Sequence, residues 1–376
     1  MIYLDYSANA PVDPAVLERF CEVERRCIGN ANAGHAAGRE ASDELARVTA
    51  SIASLLGAQP DEIVYTSGAS EANNLAVKGI ARASRHVGRH IISTPLEHPS
   101  VSAPLTALQE QGYEVDLVDI GRDGKVDLEH LASLLRRDTA LVAVAAVDSE
   151  LGTVQPVHGI VELLKAYPDC RLHVDATQAA GKTELCLDGI DTLSLSAHKF
   201  GGLGGSGLLY KRRGVALEPL IHGGASTTAY RSGTPTVGLN AALEHALRLT
   251  LENYAERRAV VERHNAALRK ALAAYPRVRI NSSADAVPHI LNLSVEGVKG
   301  ADFQRALSER GVCVSVKSAC STDALPSRAV FAVSRDKKRA RSSWRVSLSH
   351  LTTETEIEDF LAAFDECCDS LTGGNA

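Results

Sequence analysis

Short runs rich in Val, Ile and Leu recur through the first two thirds of the chain, and helical patterns separate them. The runs are Glu62-Ile-Val-Tyr-Thr66, His90-Ile-Ile-Ser93, Glu114-Val-Asp-Leu-Val118, Ala140-Leu-Val-Ala-Val-Ala-Ala146, Arg171-Leu-His-Val174 and Gly207-Leu-Leu-Tyr210. Apolar strands alternating with helices predict an α/β fold with a largely parallel sheet covered on both faces. The helix predicted over Glu40 to Leu56 carries an apolar stripe and is closed by Gly57; Pro156 to Ala166 predicts another. From about residue 256 the pattern changes. A long charged helix, Ala255 to Leu272, leads into strand-like segments at His289 to Val295 and Trp344 to Leu348, which predict a smaller α+β domain. A chain of 376 residues is too long for one simple core, and two packed domains are expected.

Composition narrows the functions available. With 45% hydrophobic and 23% charged residues the chain is not a disordered one, and a net charge of -6 argues against general nucleic-acid binding. The start, Met1-Ile-Tyr-Leu-Asp-Tyr-Ser7, has no basic segment followed by an apolar one, and no apolar run reaches membrane-spanning length, so a cytoplasmic protein is expected. The eight cysteines, Cys21, Cys27, Cys170, Cys186, Cys313, Cys320, Cys367 and Cys368, lack framework spacing and include no CxxC pair. That fits a reducing compartment and gives no reason to expect a metal site.

Open α/β sheets bind ligands beyond the carboxyl ends of their strands, and several chemically informative segments fall there. Ser196-Ala-His-Lys199 follows the apolar run Asp191 to Leu195 and precedes the glycine-rich Phe200 to Gly207, so Lys199 is a candidate Schiff-base lysine. Asp175 ends another buried run. A lysine that can bind an aldehyde and an acid that can pair with a pyridinium nitrogen are the two protein groups that pyridoxal phosphate chemistry needs most. Thr66-Ser-Gly-Ala-Ser-Glu-Ala-Asn-Asn74 lies between a strand and a helix: its free N–H groups suit a phosphate, or else Ser67 or Ser70 simply caps the helix with Glu71 in the first turn. His98, in Leu96-Glu-His-Pro-Ser100, is placed to stack on a cofactor ring or move protons, and Ser149 to reach a cofactor or substrate. The long loop from His222 to Pro235 holds one cation, Arg231. Cys320 sits among small polar residues, unlike an inert core thiol, and is the best nucleophile candidate. Arg345, in a strand pattern ending at Ser347, is suited to gripping a carboxylate.

Taken together these segments resemble the cysteine desulfurases of the NifS/IscS group, in the class V branch of fold-type I pyridoxal phosphate enzymes. The likeness begins at Tyr3-Leu-Asp-Tyr-Ser-Ala-Asn-Ala-Pro-Val-Asp13 and runs through Thr66-Ser-Gly-Ala-Ser-Glu71, Glu97-His98, His173-Val-Asp-Ala-Thr-Gln178, Ser196-Ala-His-Lys199, Arg231-Ser-Gly-Thr234, Ser318-Ala-Cys320 and Arg345 to Ile357. The resemblance implies a large domain over 12–255 with a mostly parallel, seven-stranded type of sheet. It implies a small α+β domain formed by 1–11 and 256–376, carrying the cysteine loop, and a homodimer. It makes Lys199 the cofactor lysine, Asp175 the partner of the pyridine nitrogen, Gln178 a donor to the ring hydroxyl and His98 the stacked residue. Phosphate contacts fall to Ala69, Ser70, Ser196 and His198, with Thr234 reaching in from a second subunit. The reaction implied converts L-cysteine to L-alanine: Arg345 holds the substrate carboxylate, Lys199 moves the α proton and Cys320 takes the sulfur as a persulfide. The acceptor implied is a sulfur-receiving protein, such as an iron-sulfur scaffold or a tRNA-thiolation or DNA-phosphorothioation protein.

Two departures stand out. Where the family reads Asn-Asn-Glu-Ile-Gly this chain has Asp148-Ser-Glu-Leu-Gly152, so Ser149 replaces an asparagine that contacts cofactor and substrate; Ser-Gly-His-Lys becomes Ser-Ala-His-Lys. The run from Ser334 to Arg345 concentrates six cations, read either as a solvated face or as a docking patch for an acidic acceptor or a nucleic-acid-associated complex. An aminotransferase or selenocysteine lyase would share Lys199 and Asp175 without needing Cys320, and a sulfur-relay scaffold would need neither.

Overall fold

The structure, a computed structural model, describes residues 1–224, 226–317 and 326–372. Its strands are β1 (Ile2–Tyr3), β2 (Ile63–Thr66), β3 (His90–Ser93), β4 (Glu114–Leu117), β5 (Thr139–Ala145), β6 (Arg171–Asp175), β7 (Thr192–Ser196), β8 (Gly207–Lys211), β9 (Val278–Ile280), β10 (Ile290–Val295), β11 (Val312–Cys313) and β12 (Ser343–Ser347). Seven of them form one sheet in the order β2-β8-β7-β6-β5-β3-β4. Neighbours from β7 through to β4 pair in parallel, whereas β8 runs antiparallel to both β7 and β2. The reversal follows from the connection: residues 197–206 are too few to carry a crossover helix, so the chain returns antiparallel.

Alternate residues of β5 serve opposite faces, as strand geometry demands. Val142 and Val144 join an apolar core with Val16, Val48 and Leu243, from the helices Pro14–Arg26, Ala36–Leu56 and Val237–Glu252. Leu141 and Ala143 join a second core with Leu75, Ile80 and Leu105, from Ala69–Ala83 and Pro99–Gln109. The helix read from Glu40 starts earlier, at Ala36, because the His35 imidazole accepts from Gly38 N and caps it; Gly57 ends it at φ 70°.

A third core gathers Leu4 with residues from Val261 onward. Antiparallel β9, β10 and β12 form its sheet, and the Glu354–Thr372 helix adds Phe360 and Phe364 to a cluster in which Phe303 stacks on Trp344 at 5.1 Å. The N-terminus is stitched into this region: β1 pairs with β11, and Ser347 N donates to Leu4 O at 2.7 Å. That stitch carries Asp5 and Ser7 to the carboxyl edge of the large sheet. No helix among the described residues is long and apolar enough to cross a membrane.

Candidate active site

A cavity of about 380 Å³ opens at the carboxyl ends of β5, β6 and β7, against the start of the Ala69–Ala83 helix. Ala69, Ser70, His98, Ser149 and Asp175 line it, as do Gln178, Ser196, His198, Lys199 and Arg345. With Ser7 and Ala8, which also line it, residues from seven separate sequence segments therefore meet in one place.

The start of the Ala69–Ala83 helix is built to receive an anion. Its N-cap is Gly68, at φ 144°, which offers no side chain to the first-turn N–H groups, so neither Ser67 nor Ser70 caps the helix. Glycine is required on both sides of this contact, since a Cβ on Gly207 would lie 2.6 Å from Gly68 Cα. Glu71 also lines the cavity, but its carboxylate is engaged: it accepts from Ser67 N at 2.7 Å and from Arg231 Nε at 2.9 Å, which gives the cation of the long loop a positioning task. Opposite the helix, Ser196 Oγ and His198 Nδ1 are 2.9 Å apart. Burial, and then Lys199, push the His198 imidazole down to about 4, so it is neutral near pH 7.

Asp175 is held by a buried polar network that the sequence pattern did not disclose. Its Oδ2 accepts from Asn73 Nδ2 at 2.8 Å, and its Oδ1 accepts from Thr177 N at 2.9 Å and Ser194 Oγ at 3.3 Å. Asn73 Nδ2 also donates to Ser100 Oγ at 2.8 Å, and Asn73 Oδ1 lies 3.0 Å from His173 Nε2. Ser100 in turn fixes His98, whose Nδ1 accepts from Ser100 N at 3.1 Å and sits 2.8 Å from Ser100 Oγ. Burial lowers the His98 pKa, favouring the flat neutral ring.

Lys199 Nζ donates to the carbonyls of Ser7 and Ala8, at 2.8 and 2.7 Å. The same Ser7 carbonyl accepts from Gln178 Nε2 at 2.8 Å, and the buried Lys182 donates to Gln178 Oε1, so that amide has a fixed orientation. At the far wall Arg345 is 1% exposed. Its Nη1 donates to Ser149 O at 2.6 Å and its Nη2 pairs with Asp5 at 3.0 Å, while Nε has no partner among the described residues.

Thr234 is exposed and does not line this cavity. Cys320, with Ser318 and Ala319, lies outside the described residues. Among the described residues no group of three or more His, Cys, Asp or Glu is placed to hold a metal ion. The six-cation run divides: Arg335, Lys337, Lys338 and Arg341 are exposed, Arg339 is built into the fold through Asn281 Oδ1 at 2.6 Å and Ile280 O at 3.0 Å, and Arg345 belongs to the cavity. It is neither a wholly solvated face nor a single patch.

Sequence and structure comparisons agree with this architecture. The model of the class V aminotransferase family matches residues 2–360. The cysteine desulfurase IscS of Stutzerimonas stutzeri is 37% identical over 380 residues, covering 99% of this chain and 93% of the relative. Among solved structures, a NifS-like protein superposes with a TM-score of 0.93 at 33% identity, covering 98% of this chain and 100% of the other. SspA in complex with cysteine gives a TM-score of 0.82 at 31% identity, over 94% of this chain and 100% of that one. The fold is that of a fold-type I enzyme. The chain belongs to the class V aminotransferase family, and within it to the cysteine desulfurases.

Proposed function

We propose that this enzyme uses pyridoxal 5'-phosphate to convert L-cysteine to L-alanine and passes the sulfur to its own Cys320 as a persulfide. The observation that carries the reading is the convergence, in one cavity, of an amine, a buried carboxylate, an uncapped helix start and a buried guanidinium. The residues fit the cofactor. The phosphate suits the N–H groups of Ala69 and Ser70 with Ser196 and His198 opposite, and the buried Thr177 Oγ1 at the cavity wall has no partner among the described residues. Thr234 of a second copy would complete the cradle.

When bound, pyridoxal phosphate supplies an aldehyde for an amino group and a ring that draws electrons from the substrate α-carbon. Lys199 Nζ is the amine that holds it and afterwards carries the α proton, restrained by the Ser7 and Ala8 carbonyls. Asp175, clamped by Asn73, Thr177 and Ser194, keeps a proton on the ring nitrogen. With the cofactor bound, His98 would stack on its ring, Gln178 would donate to its hydroxyl, and Arg345 would orient the substrate carboxylate beside Ser149, all four residues lining the cavity. In the transfer the substrate C–S bond breaks and an S–S bond forms to Cys320: the carbon is reduced to a methyl group, the thiol is oxidised to a persulfide, and no external electron carrier is needed. The persulfide then serves a sulfur-acceptor protein.

Mass spectrometry of the protein after L-cysteine tests this. A gain of one sulfur on Cys320 with one alanine released is expected. Cys320→Ser should lose both products while keeping the cofactor's absorbance, and Lys199→Ala should lose that absorbance. Undiminished alanine and sulfide release by Cys320→Ser would favour an aminotransferase-like or lyase reading instead.

A further inference from the structure

A second cavity, of about 340 Å³, shares Lys199 with the candidate active site and no other lining residue. Its walls are unusual in charge. Lys182, Lys199 and Arg257 line it with His289 and His350, against one lining carboxylate, Asp13. That carboxylate offsets little, since Asp13 Oδ2 is 3.9 Å from Arg257 Nη2. Lys182 is 6% exposed, and its amine donates to the neutral Gln178 amide; among the described residues it has no carboxylate within ion-pair distance. His289 is 7% exposed and its Nδ1 has no hydrogen-bond partner among the described residues.

A buried amine without a counter-charge and a buried imidazole nitrogen without a partner are both costly, and a carboxylate oxygen satisfies each, accepting from the imidazole in its Nδ1–H tautomer. Most of the rest of the lining is apolar, including Val12, Phe200, Leu249 and Leu348, with Thr250 and Ser349 adding hydroxyls. The mouth is marked by exposed Pro11, Pro14 and Leu351. We propose that this cavity binds a small organic monocarboxylate, its oxygens against Lys182, Arg257 and His289 and its apolar body against the hydrophobic wall. The site is separate from the substrate subsite at Arg345, and it needs no step of the reaction proposed above. Burial, and then Lys199, hold the Lys182 ammonium well below the ordinary lysine range, and a bound carboxylate would restore its charge.

Calorimetric titration of the full-length protein with benzoate tests this, with excess pyridoxal phosphate present so that the phosphate cradle is closed to the probe. One saturable site is expected, weakened at least tenfold by Arg257→Gln and by His289→Leu and unchanged by Arg345→Gln. Leu351→Trp, on the exposed rim, should block entry without disturbing packing, which covers the case in which a buried variant fails to fold. Inorganic sulfate, which lacks the apolar body, should bind at least tenfold more weakly. The proposal is overturned if benzoate shows no saturable binding, if Arg345→Gln abolishes it while Arg257→Gln spares it, or if sulfate binds as well. Loss of the cysteine desulfurase reading would leave these outcomes unaltered, because none depends on turnover.

Discussion

Asn73 Nδ2 donates to Asp175 Oδ2 at 2.8 Å and, from the same nitrogen, to Ser100 Oγ at 2.8 Å. One fully buried helix residue thereby links the acid at the end of β6 to the residue that orients His98. Asn73→Ala removes both N–H donations and strands His173 Nε2, leaving Ser194 Oγ only its 3.3 Å bond to Asp175; a buried group left unsatisfied costs about 1–3 kcal/mol. Cofactor affinity should fall roughly tenfold or more, about 1.4 kcal/mol per decade. Asn73→Asp should be worse than Ala, since it sets a second carboxylate against Asp175. Absorbance titration with pyridoxal phosphate, alongside thermal melts, checks both.

Arg345 owes its aim to Asp5, which the β1–β11 pairing delivers from the other end of the chain. Asp5 also accepts from Ser315 Oγ at 2.7 Å, so it braces the residues that follow β11. Asp5→Asn keeps an acceptor but removes the charge. The expected result is a KM for L-cysteine raised about tenfold with kcat changed far less, the pattern of a lost positioning contact rather than a lost chemical group. The cofactor spectrum should be unaltered. A fall in kcat equal to the loss in kcat/KM would contradict this assignment.

Glu97 sets a pH dependence on stability. Burial pushes its carboxyl from the ordinary 4.5 up to about 8, against hydrogen bonds from Thr94 and Ala145. Between those two values the folded chain holds a proton that the unfolded chain releases. Stability therefore falls as pH rises from about 4.5 towards about 8 and levels off beyond. Glu97→Gln keeps the shape and the acceptor while removing the titration. Its Tm relative to the parent should rise between pH 5 and pH 9, by roughly 2–4 °C per kcal/mol. Asp148, pushed up to about 7 mainly by burial, retains part of the slope in the variant. Parallel melting curves at all pH values would refute the Glu97 assignment.

What the sequence disclosed and what it hid divide along physical lines. The runs placed all seven strands of the large sheet: the central ones because strands buried on both faces are rich in apolar residues, and the exposed edge strand β4 through the alternation of Glu114-Val-Asp-Leu117. The same runs put Asp175 and Lys199 at the ends of β6 and β7, and thus at one edge. The reversed β8 was visible only as a short connection. Asn73, Ser100 and Ser194 were missed because each is a small polar residue inside an element, where single-residue patterns are silent. A signal did exist: Asn73 falls on the same helix face as Ala69, Ala76 and Ile80, an apolar stripe interrupted by one amide. Asp5 and Lys182 could not be read at all, since their partners lie far away in sequence or depend on a side chain's direction.

The basic run yields its own test once its members are separated. Arg339 Nε and Nη2 bridge Asn281 Oδ1 and Ile280 O, tying the Lys337–Arg341 helix to β9. Ser294 Oγ donates to the Arg339 carbonyl at 2.9 Å, which secures β10 to the same turn. Lys337 and Lys338 are exposed. Arg339→Ala should therefore lower stability by about 1–3 kcal/mol, the range for partly buried charged hydrogen bonds. Lys338→Ala should stay within about 0.5 kcal/mol of the parent. Denaturant midpoints for the two variants check the contrast. A role for this surface in meeting an acidic sulfur acceptor is then tested by Lys337→Glu with Lys338→Glu and Arg341→Glu, leaving Arg339 in place. Slower acceptor-dependent turnover at an unchanged melting temperature would support such a role, and unchanged turnover would leave the exposed cations as a solvated face.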